Sequence, residues 1–129
     1  MILVDTSAWV EFLRDTGSAT CERVDELLAS DIATCDPVQM EVLAGARDGQ
    51  HLAALRALLA RATLLGTEPA DYDRAAAMYR TCRHNGGTVR KLIDCLTAAV
   101  AIRNDVTVLH ADNDFEALAR HTPLRVDRT

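Results

Sequence analysis

The sequence predicts a three-layer α/β/α domain with a central, mostly parallel sheet. Short apolar runs of strand length alternate with longer segments of helical periodicity, and no linker or repeat interrupts them. This alternation is typical of a parallel sheet covered by helices on both faces. The chain has 129 residues, 49% of them hydrophobic and 26% charged, which favours a single domain over residues 1–129 and excludes a disordered chain.

The strands are predicted where short apolar or β-branched runs meet an acid or a turn signal. Asp5 ends the first of these runs, and Gly66 closes the third. The predicted strands are residues 2–4, 32–35, 63–65 and 106–109, with a further edge strand at residues 124–126.

The helices are predicted from apolar residues spaced three and four positions apart, and their boundaries from capping residues. Thr6 or Ser7 is expected to cap the first helix, and Thr88 the sixth. Asp36 is expected to cap the third, with Pro37 in its first turn. The predicted helices are residues 8–14, 20–29, 37–46, a segment after residue 49, then 69–84, 89–103 and 112–120.

Charge and composition exclude several classes of function. The net charge of −5 argues against binding nucleic acid through an overall positive surface, and 4% aromatic residues are too few for a base-stacking platform. The four cysteines show no C-x-x-C spacing, which favours reduced core thiols over a zinc site. Because we find no signal peptide and no apolar stretch of membrane-spanning length, we expect a cytoplasmic protein without a membrane partner.

Three carboxylates follow predicted strands. Asp5 comes directly after the first strand, and Asp112 and Asp114 follow the strand that ends at Leu109. If the strands are parallel, their carboxyl ends share one edge of the sheet, where ligands bind in open α/β sheets. The alternative for each is a helix N-cap, a position that Asp favours.

Two further acids lie in mostly apolar helical segments. Glu41 lies within residues 38–45, and Asp94 lies within residues 92–96. An acid in such surroundings is costly unless it is paired or binds a metal. The alternatives are an exposed helix side chain for Glu41 and an ion pair between Asp94 and Arg90, four residues earlier.

Four of these acids together predict an all-oxygen cluster, namely Asp5, Glu41, Asp94 and Asp112. Carboxylates a few ångströms apart repel one another unless a cation neutralises them. Hard oxygen ligands select Mg²⁺ or Mn²⁺ rather than zinc. A divalent ion held in this way activates water and stabilises a leaving oxygen, so the cluster predicts metal-assisted phosphodiester hydrolysis.

Four segments resemble those of PIN-domain ribonucleases, specifically VapC-type toxins of type II toxin–antitoxin systems. The resemblance spans essentially the whole chain, and the order and spacing of the family's motifs are intact. Each motif is weak alone, but four in order are specific. The segments are Met-Ile-Leu-Val-Asp5-Thr6-Ser7-Ala8-Trp9, Glu41-Val-Leu-Ala-Gly45, Arg90-Lys-Leu-Ile-Asp94-Cys-Leu-Thr-Ala-Ala99 and His110-Ala-Asp112-Asn-Asp114-Phe115.

The resemblance implies a single PIN-like domain that is a Mg²⁺-dependent endoribonuclease, cutting transfer or ribosomal RNA and inhibiting translation and growth. It implies metal ligands at Asp5 and Asp94, completed by Glu41 and Asp112. Asp114 is either a fifth acid or the cap of the last helix, the latter being favoured. The arginine often found between the last two acids is replaced by Asn113.

The same resemblance implies supporting residues and partners. Thr6 or Ser7 would support Asp5 or a bound water through its hydroxyl, and His110 would either position the site or simply pack. The family implies a homodimer and a cognate VapB-like antitoxin whose tail blocks the acidic groove. Operator DNA would be bound only through the antitoxin.

Three other interpretations are weaker. A phosphoacceptor receiver domain needs an acidic pair after the first strand and a lysine near a late strand, whereas Asp5 stands alone and the single lysine, Lys91, lies in a predicted helix. An Asp-nucleophile phosphatase would place Asp112 and Asp114 too near the C-terminus. A non-catalytic binding module would leave several buried-looking acids unexplained.

The negative total conceals a basic segment, because residues 74–91 hold five cations and no acid. Its functional interpretation is a basic rim that holds RNA phosphates beside the metal site. The alternative is a solvated helix face. The basic rim consists of Arg80, Arg83, Arg90 and Lys91.

Overall fold

The computed structural model describes residues 1–128 and contains a four-stranded parallel sheet in the order β3-β2-β1-β4. β1 lies in the middle, with Leu3 opposite Ala33 of β2 and Val108 of β4. The predicted parallel sheet is therefore confirmed. The strands are β1 (Ile2–Val4), β2 (Ile32–Cys35), β3 (Thr63–Leu65) and β4 (Thr107–Leu109).

Seven helices occur in the described part of the chain. They are α1 (Thr6–Leu13), α2 (Ala19–Leu27), α3 (Asp36–Ala44), α4 (Gly49–Leu59), α5 (Pro69–His84), α6 (Leu92–Arg103) and α7 (Asn113–His121). Because parallel crossovers are right-handed, the helices after β1 and β2 cover one face of the sheet and those after β3 cover the other. In agreement, α1 packs against α2 and α3, while α5 packs against α6 and α7. No helix within residues 1–128 is long and apolar enough to cross a membrane.

The core is formed by the buried strands and by the apolar faces of helices on both sides. Trp9 of α1 and Phe115 of α7 are its largest fully buried side chains. All four cysteines are free, and each is buried, which confirms the expectation of reduced packing residues. Their role is to fill the core.

Two predicted capping residues are wrong. Asp5 itself caps α1, rather than Thr6 or Ser7. Asp36 is the first residue of α3, and Cys35 occupies the cap position. The end of one strand thus becomes the start of the next helix with no intervening loop.

The predicted start of α6 near Thr88 is also wrong, since the helix begins at Leu92. The Asp114 carboxylate accepts the backbone N–H groups of Arg90 and Lys91, both at 3.0 Å, and so holds this segment outside the helix. The predicted edge strand at residues 124–126 is reduced to a single parallel bridge between Val108 and Val126.

The strand order places one reversal in the sheet. From β1 the chain moves outward to β2 and β3, then returns past β1 to form β4 on the opposite side. The carboxyl ends of β1 and β4 therefore flank the topological switch point, where open α/β sheets bind ligands. Asp5 follows β1 at this point, and residues 110–114 follow β4.

Candidate metal centre

Asp5 reaches the switch point at the end of β1 with one oxygen engaged and one free. Its Oδ2 accepts the backbone N–H of Ser7 at 3.0 Å and the Ser7 hydroxyl at 2.6 Å. Its Oδ1 is buried and has no hydrogen-bond partner within residues 1–128. Burial raises the pKa of Asp5, and the bonds from Ser7 oppose that rise. Asp5 Oδ1 is therefore held in a fixed orientation but accepts no hydrogen bond from the described residues.

The two hydroxyls after Asp5 support different acids. Ser7 donates to Asp5, and its Oγ accepts the backbone N–H of Ala111 at 2.9 Å, which ties the loop after β4 to the end of β1. Thr6 Oγ1 instead donates to Glu41 Oε1 at 2.8 Å. Glu41 is half-buried on α3, so the alternative of an exposed helix side chain is wrong.

Asp94 lies in the first turn of α6 and is 1% exposed. Its Oδ2 is buried without a hydrogen-bond partner in the described chain. Burial raises the pKa of Asp94 to about 8, and the neighbouring Asp114 carboxyl and the charge of Asp5 add to that rise. In the absence of a cation, this carboxyl holds a proton near neutral pH.

The cation nearest Asp94 is Lys91 and not Arg90, the partner that the ion-pair alternative required. Lys91 Nζ lies 3.7 Å from Asp94 Oδ2, whereas Arg90 directs its guanidinium to Asp112 at 3.9 Å and Asp114 at 3.8 Å. The alternative of an Asp94–Arg90 pair is therefore wrong. Arg90 precedes the start of α6, so the i to i+4 spacing of a helix does not apply to it.

Asp112 and Asp114 have different roles: Asp112 caps α7, and Asp114 holds the backbone before α6. Asp112 is the cap of α7, and its Oδ1 accepts the backbone N–H of Asp114 at 2.9 Å. Burial raises the pKa of Asp112, but that hydrogen bond and the Lys91 ammonium outweigh burial and lower it. Lys91 Nζ lies 3.1 Å from Asp112 Oδ2. Asp114 is buried and holds the backbone of Arg90 and Lys91, so its expected role as the cap is wrong.

Asp94, Asp112 and Asp114 each present an oxygen, and these three oxygens all lie within 4.8 Å of one another. Asp5 and Glu41 lie outside that trio, but the charge of Asp5 raises the pKa of Asp94, and the charge of Glu41 raises that of Asp5. The five carboxylates therefore form one electrostatic cluster, which we call the acidic edge. A divalent cation with oxygen ligands is the partner that such a cluster fits.

His110 is tied to the acidic edge through its ring. Its Nδ1 accepts the backbone N–H of Asp112 at 3.1 Å, and its Nε2 donates to Glu116 Oε1 at 3.1 Å. The ring also packs 5.3 Å from that of Phe115. His110 thus holds the backbone at Asp112, and its partner Glu116, six residues later, is a residue that sequence reasoning missed.

The structure divides the predicted basic rim in two. Arg90 and Lys91 lie beside the acidic edge and contact its carboxylates. Arg80 and Arg83 are exposed on α5, and Arg83 lies over the Tyr79 ring at 5.7 Å. Neither of these two arginines forms an ion pair with the acidic edge in the described residues.

Comparison with known proteins agrees with this geometry. A family profile for the PIN domain matches residues 2–121. VapC ribonuclease Mb1587 of Mycobacterium bovis and ribonuclease VapC11 of Mycobacterium tuberculosis are each 44% identical over 129 residues, covering 97% of this chain and 96% of theirs.

Solved structures share the fold at lower identity. VapBC2 from Rickettsia felis, bound to a DNA fragment from its promoter, superposes with a TM-score of 0.76 at 18% identity over 98% of both chains. Mycobacterium tuberculosis VapC20, a Sarcin-Ricin loop cleaving toxin, gives a TM-score of 0.70 at 22% identity, covering 97% of this chain and 99% of its own.

Carboxylates gathered at the switch point of a parallel α/β domain fit a metal-dependent nuclease. The chain belongs to the PIN-domain family and, within it, to the VapC ribonucleases. It is an endoribonuclease. The receiver-domain, phosphatase and binding-module interpretations are therefore wrong.

Proposed function

We propose that the acidic edge holds Mg²⁺, with Mn²⁺ as a substitute, and that this ion serves RNA hydrolysis. One observation carries the proposal: Asp5 Oδ1 and Asp94 Oδ2 are buried and without a hydrogen-bond partner within residues 1–128. A buried, unsatisfied carboxylate oxygen is costly, and a hard cation satisfies it. The ligands we assign are Asp5, Glu41, Asp94 and Asp112.

When bound, the ion lowers the pKa of a water molecule and neutralises charge on the leaving oxygen. The protein's own groups prepare the site. Burial raises the pKa of Asp94 to about 8, so this carboxyl holds a proton near neutral pH in the metal-free protein, and a bound cation would take the place of that proton. Ser7 fixes the orientation of Asp5, and Asp114 acts as a positioning residue by holding the backbone before α6.

Substrate binding uses the cations that border the acidic edge. Lys91 is half exposed and Arg90 largely exposed, so both can meet RNA phosphates while remaining close to Asp112. Arg80 and Arg83 on α5 extend this basic rim as weaker, more distant contacts. Binding through such charges weakens as salt concentration rises.

The metal assignment is tested by titrating Mg²⁺ and Mn²⁺ into the wild type and Asp5→Asn, with calorimetry and RNA cleavage measured in parallel. We expect the variant to keep its circular dichroism spectrum but to lose both metal binding and cleavage. Wild-type cleavage with unchanged metal affinity in Asp5→Asn would contradict the proposal.

We further propose that a VapB-like antitoxin neutralises this toxin in the cytoplasm by covering the acidic edge, and that operator DNA is bound only through the antitoxin. The support is that the solved neighbours include VapBC complexes, two of them bound to DNA. Induced expression should arrest growth, and co-expression of the adjacent small gene should restore it. Unimpaired growth under induction would contradict the toxin assignment.

The RNA target that we propose is a transfer or ribosomal RNA. Sequencing the 5′ ends of RNA fragments after induction identifies the cleaved molecule and the position of the cut. Cleavage confined to messenger RNA would contradict this choice of substrate.

A homodimer is proposed on the evidence of an exposed apolar surface. Met40 and Tyr72 are each 60% exposed and Leu92 is 57% exposed, and two adjoining cavities share Tyr72, Ile93 and Leu96. Continuous apolar surface of this kind is typical of an interface. Tyr72→Glu should shift light scattering from dimer to monomer, whereas Leu64→Glu, at an apolar position that lines neither cavity, should not.

A further inference from the structure

A cavity of about 350 Å³ adjoins the acidic edge on the side of α1, α3 and α4. Two of its lining residues, Thr6 and Glu41, also belong to the site, and they are joined by a 2.8 Å hydrogen bond. The cavity is therefore continuous with the acidic edge. Its volume lies in the range of pockets that hold small organic groups.

One wall of this cavity is apolar, and the rest of its lining is polar or charged. Val42 and Leu55 are buried at 6% and 3% exposure, and Val10 and Leu13 also line it. An apolar wall of this kind favours the flat face of a nucleobase over a hydrated phosphate.

The opening of the cavity is positively charged. Arg14 is the C-terminal cap of α1 and Arg47 lies between α3 and α4, and both are exposed. Within residues 1–128 neither guanidinium forms an ion pair or a hydrogen bond. Glu41 is the one acid that lines the cavity, and it already accepts a hydrogen bond from Thr6. Two unengaged cations beside an apolar wall complement a base with phosphates on either side.

His51 adds a polar group with a defined tautomer. Its Nδ1 accepts the backbone N–H of Arg47 at 3.1 Å, which leaves the proton on Nε2. The backbone of His51 is held by Asp48, which caps α4 and accepts the His51 N–H at 2.7 Å. His51 Nε2 is therefore a hydrogen-bond donor suited to an acceptor on a base edge.

We propose that this cavity is a nucleotide subsite that receives the base beside the scissile phosphate, while Arg14 and Arg47 contact the neighbouring phosphates. The inference rests on the proposed role of the acidic edge in hydrolysis. Carboxylates that hold a cation distinguish RNA sequences poorly, so a base-binding cavity joined to them determines which phosphodiester is cut.

Gly45 offers a way to fill the cavity without touching the acidic edge. It lines the cavity with a φ of −82°, and an added Cβ would meet its nearest neighbour, the carbonyl oxygen of Val42, at 3.4 Å. Gly45→Leu should therefore be accommodated by the backbone and occupy space intended for the base. Gly45→Ala is the milder variant if the larger side chain impairs folding.

The test compares Gly45→Leu, the double variant Arg14→Ala/Arg47→Ala and a control, Arg56→Ala. Arg56 is exposed on α4, does not line the cavity and has no ion-pair partner within residues 1–128. The probe is a pool of randomised oligoribonucleotides cleaved in Mg²⁺, with the cut sites sequenced and kinetics measured. Metal affinity, measured by calorimetry, should be unchanged in all variants.

We expect Gly45→Leu to raise KM by about tenfold and to flatten the base preference at one position beside the cut. The double arginine variant should raise KM and reduce the slope of log KM against log salt by about 1.4, the value for two single-strand phosphate contacts. Arg56→Ala should match the wild type.

The subsite would be overturned if both variants kept the wild-type base preference, the wild-type KM and the wild-type dependence of KM on salt. Normal cleavage combined with escape from the antitoxin would overturn it as well, because the cavity would then be a protein-docking surface. A wild type that does not cleave RNA in Mg²⁺ would contradict the role of the acidic edge itself, and the subsite with it.

Discussion

Two buried aspartates, Asp94 and Asp71, occupy equivalent local positions and have opposite electrostatic character. Each lies in the first turn of a helix, Asp94 in α6 and Asp71 in α5, and they are 1% and 0% exposed. Burial raises the pKa of Asp94 to about 8, whereas hydrogen bonds from Arg103 lower the pKa of Asp71. Helix position and burial alone therefore do not decide what a buried acid does.

Asp71 is fully satisfied. It accepts the backbone N–H of Glu68 at 2.8 Å and the Nε and Nη2 of Arg103, both at 2.9 Å. Arg103 also donates to the carbonyl oxygen of Gly66 at 2.6 Å. This pair fastens the end of α6 to the start of α5, and its role is structural.

Asp94 lacks such a partner, since its Oδ2 accepts no hydrogen bond from the described residues and Lys91 lies 3.7 Å away. Its other close neighbours include further carboxylates, which increase the cost of ionisation. A buried acid with unsatisfied oxygens among other acids marks a binding site, whereas one with a complete set of donors marks a structural joint.

The largest effect is expected from Asp94→Asn. Loss of a ligand at the acidic edge should lower kcat/KM for RNA by about 10³-fold or more, about 4 kcal/mol of transition-state stabilisation. The matched substitution Asp71→Asn should leave the activity of the folded fraction near the wild-type level. Similar losses of activity in both variants, measured on folded protein, would remove the distinction between them.

Asp71→Asn should show the larger loss of stability, about 2 kcal/mol in the free energy of unfolding, because it disrupts charged hydrogen bonds to Arg103. Asp94→Asn should not lower this free energy in metal-free protein, since the amide replaces a carboxyl that already holds a proton. Urea denaturation in EDTA measures both quantities. A larger loss of unfolding free energy in Asp94→Asn than in Asp71→Asn would reverse the comparison.

The two acids should also give opposite pH dependences of stability. The Asp71 contribution is present above its unfolded pKa of about 4 and is lost as pH falls through its lower folded pKa. The Asp94 contribution is present below that unfolded pKa and is lost in metal-free protein as pH rises towards about 8.

Denaturation of both Asp→Asn variants across pH 3–9 tests these signs. The stability of Asp71→Asn should converge with that of the wild type at the acid end. Between about pH 4 and 8, the free energy of unfolding of Asp94→Asn should rise relative to that of the metal-free wild type. Saturating Mg²⁺ should abolish this relative rise. Parallel curves for the wild type and Asp94→Asn in EDTA would contradict the raised pKa.

The smallest effect is expected from Arg80→Ala/Arg83→Ala in the basic rim, because neither arginine contacts the acidic edge. RNA binding should weaken by a few-fold at low salt, and metal affinity should not change. Filter binding at several salt concentrations measures the change. Wild-type affinity at all of them would assign both arginines to a solvated helix face.

Local patterns were sufficient for most of the fold. The apolar runs of β1 to β4 and the periodicity of the helices are properties of neighbouring residues, so the parallel sheet and its layers followed from them. Asp5 and Asp94 were also visible, because an acid at the end of a strand or inside an apolar helix is anomalous. The start of α6 was missed because Asp114, more than twenty residues later, holds residues 90 and 91 outside the helix.

By itself, the sequence determined the elements and the acids worth attention, since these depend on short-range pattern. The PIN-domain family was indicated by the resemblance of four segments in order. Only the tertiary structure decided which acids are satisfied: Arg103 reaches Asp71 across thirty-two positions, and no donor reaches Asp94 Oδ2 within residues 1–128. The free energy of a buried charge depends on the partners that the fold brings to it, and those partners come from distant parts of the chain.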